Sequence, residues 1–168
     1  MATTANLTPS TERLSELELR AWRGLLRAHG YLSKALDADL EAAHGLPLTS
    51  YEVLLHLADA EASRMRMHDL AERVLLSRSG LTRMIDRMEG EGLIRRETCP
   101  SDARGSFAVL TDEGRAKLDV ARATHLASVR DRFLDRFTPE ELELLGEVWE
   151  RVLPAGCASA HDAGPACG

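Results

Sequence analysis

The stretch SRSGLTRMIDRME, residues 77–89, has the spacing of an amphipathic helix. Its apolar side chains recur three and four residues apart and so share one helical stripe: Leu81, Met84, Ile85 and Met88. The other face carries arginines and small hydroxyl residues: Arg78, Ser79, Thr82, Arg83 and Arg87. Arginine bonds guanine edges and phosphates, and small residues let a backbone come close to DNA. This face suits a major groove, although an ordinary amphipathic surface helix has the same spacing.

The neighbouring segments predict a helix-turn-helix followed by a wing. Before the central helix, a very short strand at 65–67 and a helical pattern at 69–74 lead into a tight corner at Leu75 and Leu76. After it, Gly90 and Gly92 are typical of a helix end. Residues 93–98 and 106–110 have strand composition, and 99–105 contain the turn-forming residues of a hairpin loop. Together these elements predict a winged helix-turn-helix over residues 49–111.

Long helices are predicted on both sides of this unit. Residues 12–43 carry an apolar helical stripe, which Gly45 and Pro47 end. Thr49 with Glu52 predicts a capping box for the next helix, and Thr111 and Thr138 are expected to cap two more helices within 112–153. A domain of this size cannot cover such stripes, so we expect 12–48 and 112–153 to be dimerisation helices. The fold class is mainly α (α+β), with a flexible tail at 1–11 and a disordered tail at 154–168.

The charge distribution permits a nucleic-acid partner despite a net charge of −6. Residues 64–104 contain nine arginines and seven acids, a net charge of +2, so the rest of the chain carries −8. One mildly basic face between acidic flanks fits binding to a polyanion. There is neither an apolar run long enough for a bilayer nor an N-terminal secretory pattern, and we expect a cytoplasmic protein without a membrane partner.

Several motifs, in their order and spacing, resemble the MarR family of bacterial transcriptional regulators. They are Leu70-Ala71, Leu81-Thr82-Arg83, the segment 86–89, the segment 92–96, Asp102-Ala103-Arg104 and the segment 110–114. The resemblance implies a winged-helix homodimer that binds double-stranded DNA at a palindromic operator. It further implies a repressor, without enzymatic activity, that a small aromatic or phenolic effector releases from DNA.

The resemblance also implies roles for individual residues. The recognition-helix positions that face DNA are Ser77, Arg78, Ser79, Thr82 and Arg83, and Ser77 would also cap the helix. In the wing, Arg104 would enter the minor groove and Asp102 would brace it. Arg96 would contact the DNA backbone or form a salt bridge, and Arg87 would be structural. Two departures from the family pattern are Ala103, where a second arginine is common, and the lack of a hydroxyl cap at 66–68.

Alternative functions leave weaker traces in the sequence. No phosphate-binding loop, nucleophile elbow or paired-carboxylate motif indicates an enzyme. The six histidines lack ligand spacing, and we expect neither a metal nor another cofactor. A winged helix used only for protein–protein contact stays open, although the polar outward face argues against it. Regulation by thiol oxidation at Cys99, beside the wing, is a further alternative to an inert thiol.

An effector cavity between the outer helices and the DNA-binding region has aromatic and histidine candidates, with plain packing as the alternative for each. They are Trp22, His29, Tyr31, Tyr51 and His56. No structural role is expected for Cys157 and Cys167 in the C-terminal tail.

Overall fold

Six α-helices and a three-stranded antiparallel sheet make up the described part of the chain in the computed structural model, which covers residues 13–99 and 102–153. For Cys99 and residues 102–105 the backbone alone is described. The helices are α1 (Glu16–His44), α2 (Leu48–Asp59), α3 (Met67–Arg73), α4 (Arg78–Gly90), α5 (Asp112–Arg132) and α6 (Pro139–Val152). The strands are β1 (Arg64–Arg66), β2 (Ile94–Cys99) and β3 (Asp102–Leu110). Short 3-10 turns occupy Glu61–Ser63 and Leu134–Arg136. The mainly helical winged-helix class is confirmed, and both predicted tails lie outside the described residues.

Local capping residues set both ends of α1. Ser15 caps it, because its hydroxyl accepts from the Glu18 N–H at 3.3 Å while the Glu18 carboxylate accepts from the Ser15 N–H at 2.7 Å. The helix therefore begins later than the predicted residue 12. It ends at Gly45, whose φ of +59° is left-handed and whose N–H donates to the Glu41 carbonyl.

The predicted capping box at Thr49 is wrong. The second helix, α2, begins at Leu48 with Pro47 as its N-cap, so Thr49 lies inside the first turn. The Leu48 N–H donates instead to the carboxylate of Asp37 on α1, at 2.8 Å. Pro47 already has a φ of −57°, and Asp37 satisfies an amide at the helix start. A side chain from another helix therefore replaces the local cap.

The sheet has the strand order β1-β3-β2, and both outer strands run antiparallel to β3. The first strand begins one residue earlier than predicted and buries Met65 between the exposed Arg64 and Arg66. The predicted hairpin is present, but the bounds of its loop at 99–105 are wrong, since the ladder continues to a pairing of Cys99 with Asp102. A register shift between Thr98 and Cys99 accommodates this extension. Strand pairing gives backbone N–H and C=O groups hydrogen-bond partners within the protein, whereas a long loop would leave them to water. This gain outweighs the turn propensity of the side chains.

The core of the winged-helix region takes side chains from α1 to α5 and from the sheet. Its fully buried residues include Leu40, Leu46, Leu54, Leu57, Leu70, Leu81, Ile85, Met88, Ile94 and Leu118. Leu40 comes from α1 and Leu118 from α5, so the outer helices complete this core.

The wing is joined to α5 at a close contact that only glycine permits. A Cβ at Gly114 would lie 2.0 Å from the Leu93 carbonyl oxygen. Beside it, the Thr111 hydroxyl donates to the Gly92 carbonyl at 2.7 Å and accepts from the Gly114 N–H at 3.0 Å. The first turn of α5 therefore fixes the start of β2.

The C-terminal half of α1 packs on α5. Arg132 on α5 makes two hydrogen bonds to the Asp39 carboxylate, at 2.8 and 2.9 Å, and Lys117 donates to the His44 carbonyl at 2.6 Å. The N-terminal half of α1 and all of α6 bury no residue. Their exposed apolar side chains include Leu17, Trp22, Leu26, Leu144 and Val152. Within the described residues no helix is long and apolar enough to cross a bilayer.

Candidate nucleic-acid interface

The fourth helix, α4, forms where the sequence predicts it and presents a polar face to solvent. Ser77 is its N-cap and its hydroxyl accepts from the Gly80 N–H at 3.1 Å, which confirms the predicted cap. The apolar stripe is at most 1% exposed at Leu81, Ile85 and Met88. On the opposite side lie the exposed side chains of the predicted reading set: Arg78, Ser79, Thr82 and Arg83.

Hydrogen bonds within α4 decide what two of these side chains can offer to a base. The Thr82 hydroxyl donates to the Arg78 carbonyl at 2.8 Å, so it presents an acceptor oxygen and a methyl group outward. The Ser79 hydroxyl lies 3.3 Å from that of Ser77. Among the described residues, nothing hydrogen-bonds to or forms an ion pair with Arg83. Its guanidinium keeps all of its donors for an incoming ligand.

The guanidinium of Arg78 contacts a side chain of α3. Its Nη2 lies 3.5 Å from His68 Nδ1, and His68 Nε2 lies 3.2 Å from the Glu72 carboxylate. All three side chains are exposed. The α3 helix, which precedes the predicted recognition helix α4, therefore contacts one of the arginines at the start of α4. As predicted, α3 lacks a side-chain cap, with Arg66 at the N-cap position.

Arg96 of β2 fastens the wing to the reading helix. Its Nη1 lies 2.6 Å from an Asp86 oxygen and 3.3 Å from a Glu89 oxygen, and its Nη2 donates to the Thr82 carbonyl at 3.2 Å. Glu89 also accepts from the Arg96 backbone N–H at 3.0 Å. The salt-bridge alternative for Arg96 is therefore present in the fold. Its two carboxylate partners lie on α4 and were not identified from the sequence.

Arg87 has the structural role that the sequence predicts. Its Nη2 donates to the hydroxyl of the buried Ser50 at 2.8 Å, and its Nε lies 3.8 Å from the Glu91 carboxylate. The reading helix is therefore held to α2 on one side and to the wing on the other.

The outer face of the sheet is basic and carries one aromatic ring. The guanidinium carbons of Arg64 and Arg66 lie 5.0 and 5.3 Å from the Phe107 ring centroid. Glu97 forms ion pairs with Arg64 at 3.7 Å and with Arg95. Sequence reasoning missed this cluster, because cross-strand register brings its members together. The predicted wing residues Asp102 and Arg104, like Cys99, have side chains outside the described part of the structure, so their roles stay predictions.

Known proteins resemble this chain in both sequence and fold. A family model of the MarR family matches residues 44–105. AbsC from Streptomyces coelicolor, a MarR family transcriptional regulator, is 41% identical with a TM-score of 0.79, and the match covers 84% of this chain and 95% of AbsC. The chain belongs to the MarR family.

Two further relatives place this MarR family chain among DNA-binding regulators. Sco3205 from Streptomyces coelicolor, a MarR family regulator solved in complex with DNA, is 38% identical with a TM-score of 0.81, over 86% of this chain and 91% of Sco3205. The homoprotocatechuate degradative operon repressor of Escherichia coli is 32% identical over 103 residues, 61% of this chain and 69% of that protein. The chain is accordingly a DNA-binding transcriptional regulator and not an enzyme.

The five effector-site candidates in this MarR family chain fall into two environments. Tyr51 and His56 on α2 are buried, at 2% and 8% exposure, whereas the three candidates on α1 are exposed: Trp22, His29 and Tyr31. The described chain does not bury the five in a common site, and the predicted cavity stays a prediction.

Tyr51 instead faces a residue that the sequence did not single out. The His125 ring on α5 lies 4.5 Å from the Tyr51 ring, centroid to centroid, and is tilted by 35°. Burial raises the pKa of Tyr51, and the nearby Arg122 counteracts this shift. Burial lowers the pKa of His125, whose Nδ1 is buried without a hydrogen-bond partner among the described residues. The sequence signal for His125 is its spacing, four residues after Ala121 and seven after Leu118, which are both buried on α5.

Proposed function

We propose that this chain is a homodimeric repressor that acts in the cytoplasm and binds a palindromic operator through α4 and the wing of both copies. One observation carries the proposal. A polar face with the exposed Arg78 and Arg83 is held outward on a helix that buries Leu81, Ile85 and Met88 on its other side. The Arg96 and Arg87 contacts hold this helix in place, and a rigid reading element is what specific base recognition requires. The DNA-bound relative Sco3205 supports the same use of the fold.

Within the operator, each exposed side chain has a contact that suits its chemistry. Arg83, without another partner among the described residues, would give two parallel N–H groups to guanine O6 and N7. The outward methyl of Thr82 would pack against the C5 methyl of thymine. Ser77 and the free amides at the start of α4 would bind a phosphate. Arg104 in the wing would add a minor-groove contact, with Asp102 as its brace.

The two-fold assembly follows from the uncovered apolar side chains at both ends of the chain. Leu17, Trp22 and Leu26 on α1 are each at least half exposed, as are Leu144 and Val152 on α6. In a two-fold dimer, each copy covers these side chains with the corresponding surface of the other copy. Two-fold symmetry would then present two reading helices one turn of DNA apart, about 34 Å, to a palindromic site.

A small aromatic or phenolic effector would release the repressor by binding between α2 and α5. The Tyr51 and His125 rings offer stacking, and the buried His125 Nδ1 lacks a hydrogen-bond partner among the described residues. Arg122, which interacts with the Tyr51 hydroxyl, offers a cation for an acidic ligand. The Escherichia coli relative named for homoprotocatechuate, an aromatic acid, supports this ligand class.

The test of DNA binding is fluorescence anisotropy with the DNA upstream of the chain's own gene, random-sequence competitor and a salt titration. Arg83→Ala should weaken specific binding by about 1–3 kcal/mol, as expected for a lost base contact, and bring it closer to non-specific binding. Arg130→Ala is the matched control, since it removes one exposed arginine from α5, far along the chain from α4. Equal loss in both variants, or none in Arg83→Ala, would refute the assignment of Arg83 as a reader.

A further inference from the structure

The outward face of the sheet carries basic side chains around one aromatic ring. We define this basic cluster as Arg64, Arg66, Arg95 and Phe107. Side chains alternate between the two faces of a strand, and Arg96 reaches Asp86 and Glu89 of α4 from the inner face. Its neighbour Arg95 consequently lies on the outer face. The basic cluster is therefore on the side of the sheet that is turned away from α4.

Contacts across the three strands hold the guanidinium groups of the basic cluster in place. The guanidinium carbons of the two β1 arginines lie 5.0 and 5.3 Å from the Phe107 ring centroid. Glu97 lies 3.7 Å from Arg64 and also pairs with Arg95. Val109 stands between Arg64 and Arg95 in register and is only 5% exposed, as expected where arginine stems lie across it. The basic cluster is thus one connected surface.

This face carries more positive than negative charge. Among the described residues, the outward positions of the three strands hold three arginines and one glutamate, a net charge of +2. Arg115, at the start of α5, donates to the Ser63 hydroxyl at 2.7 Å, beside the first residue of β1. An arginine stacked on a ring still presents N–H donors in the plane of its guanidinium, which is the geometry that phosphates bind. The chemistry of the face therefore fits a polyanion.

The position of the basic cluster indicates which polyanion lies in reach. Phe107 and Arg104 are three residues apart on β3, about 10 Å along the strand. Arg104 is the residue proposed to enter the minor groove. Because the basic cluster lies on the face turned away from α4, DNA that continues past the wing, on the side away from α4, would pass closest to it.

We propose that the basic cluster binds phosphates of duplex DNA beyond the wing, so that each end of the operator curves towards the sheet. The inference rests on the proposed operator binding and adds a contact outside the segment that α4 and the wing read. The contact itself carries no base preference, because phosphates are alike in every sequence. Curvature costs free energy that depends on the sequence being bent, so flanks that bend easily should bind more tightly.

Two variants separate the basic cluster from net charge. The cluster variant carries Arg64→Gln and Arg66→Gln, which remove two charges and keep polar side chains. The matched control carries Arg130→Gln and Arg136→Gln, which remove the same charge from exposed positions on α5 and in the turn that follows it. Circular dichroism and urea unfolding verify that every chain is folded.

Operator affinity on duplexes of two lengths tests the proposal. The short duplex is the shortest upstream DNA that the cluster variant binds at full affinity, and the long duplex adds about ten base pairs, one helical turn, at each end. Fluorescence anisotropy is measured over a salt titration, with random-sequence competitor. For wild type and control, the extension should tighten binding about tenfold at low salt and steepen the slope of log affinity against log salt by about 0.9 per phosphate gained.

The cluster variant should bind the short duplex as the control does and gain little from the extension. Förster transfer between dyes at the two ends of the long duplex reports its curvature. Transfer should rise when wild type or control binds, and rise less when the cluster variant binds.

An equal gain from the extension in all three chains would overturn the proposal, since the added contacts would then come from elsewhere. Equal losses in the cluster variant and the control would overturn it as well, because net charge would explain both. An extension without effect on wild type would also refute it, and would leave an acidic protein segment as the candidate partner of this face.

Failure of the proposed repressor gives a different result. In that case wild type would bind the upstream DNA no better than random-sequence DNA. The same comparison on long random duplexes then decides the basic cluster by itself. Weaker binding by the cluster variant than by the control would support the contact with DNA, and equal binding would refute it.

Discussion

Arg96 offers a sharp perturbation, because it joins the wing to the reading helix through three acceptors. Arg96→Ala would remove the ion pairs to Asp86 and Glu89 and the hydrogen bond to the Thr82 carbonyl. The carboxylate side chains are 55% and 39% exposed, so each ion pair contributes only about 0.2–1 kcal/mol. The hydrogen bond to the carbonyl adds about 0.5–1.5 kcal/mol. We expect Arg96→Ala to lower the free energy of unfolding by about 1–3 kcal/mol.

Operator affinity should fall with this stability, because α4 would lose its fixed position relative to the wing. The salt dependence of binding should not change, since a clamp residue neutralises no phosphate. Urea unfolding followed by circular dichroism gives the first quantity, at one protein concentration for all variants. Operator anisotropy at several salt concentrations gives the second. Arg96→Lys should be intermediate, because it keeps a charge but loses the planar fork.

The opposite result would refute the clamp. If Arg96→Ala leaves the free energy of unfolding unchanged and reduces the slope of log affinity against log salt by about 0.9, then Arg96 contacts a phosphate. A double-mutant cycle with Glu89→Gln separates the cases further. A coupling energy near zero between the two substitutions would mean that their contact contributes nothing.

Two further predictions concern the junctions around α5. Gly114→Ala should destabilise the fold by about 1–3 kcal/mol or more in urea unfolding, because its Cβ would meet the Leu93 carbonyl oxygen at 2.0 Å. Gly146→Ala is the control, since a Cβ there would meet open space. Equal effects of the two substitutions on the free energy of unfolding would contradict the contact. Burial lowers the pKa of His125 from its ordinary value near 6.5, so below that pH the unfolded chain binds more protons than the folded chain. Wild-type stability should therefore fall between pH 7.5 and 5.5 more steeply than that of His125→Phe, and parallel pH profiles would show that His125 does not titrate differently on folding.

Periodicity and local caps made most of the helices predictable. Thr138, Pro139 and Glu141 are adjacent in the chain, and their capping box is made within one turn. The same holds for Ser77 and for the stripe of Leu81, Ile85 and Met88. Such features depend on residues that are close in sequence, so the sequence alone contains the information.

Apart from the missed capping box of Ser15 and Glu18 at the start of α1, the errors and omissions discussed next involve partners that are distant in sequence. Asp37 lies 11 residues before the amide it caps, and no local pattern links it to Leu48. The partners of Arg96 come from a different element, although a basic strand residue and acids on the preceding helix were visible separately. Phe107 joins two arginines only through the β1–β3 register. Likewise, Trp22 and Tyr31 are exposed whereas Tyr51 is buried, although their residue types alone had placed all three in one predicted cavity.

The contact between Gly114 and Leu93 also bears on how far this regulator is modular. A fragment that stopped at the end of β3 would keep every side chain assigned to DNA, yet it would lose the turn that fixes β2. It would also lose Leu118 from the core, just as removal of α1 would lose Leu40. The segment proposed to contact DNA is thus smaller than the segment that must fold. To transfer the DNA specificity of this regulator to another scaffold, one would exchange surface residues of α4 rather than move the whole winged helix-turn-helix.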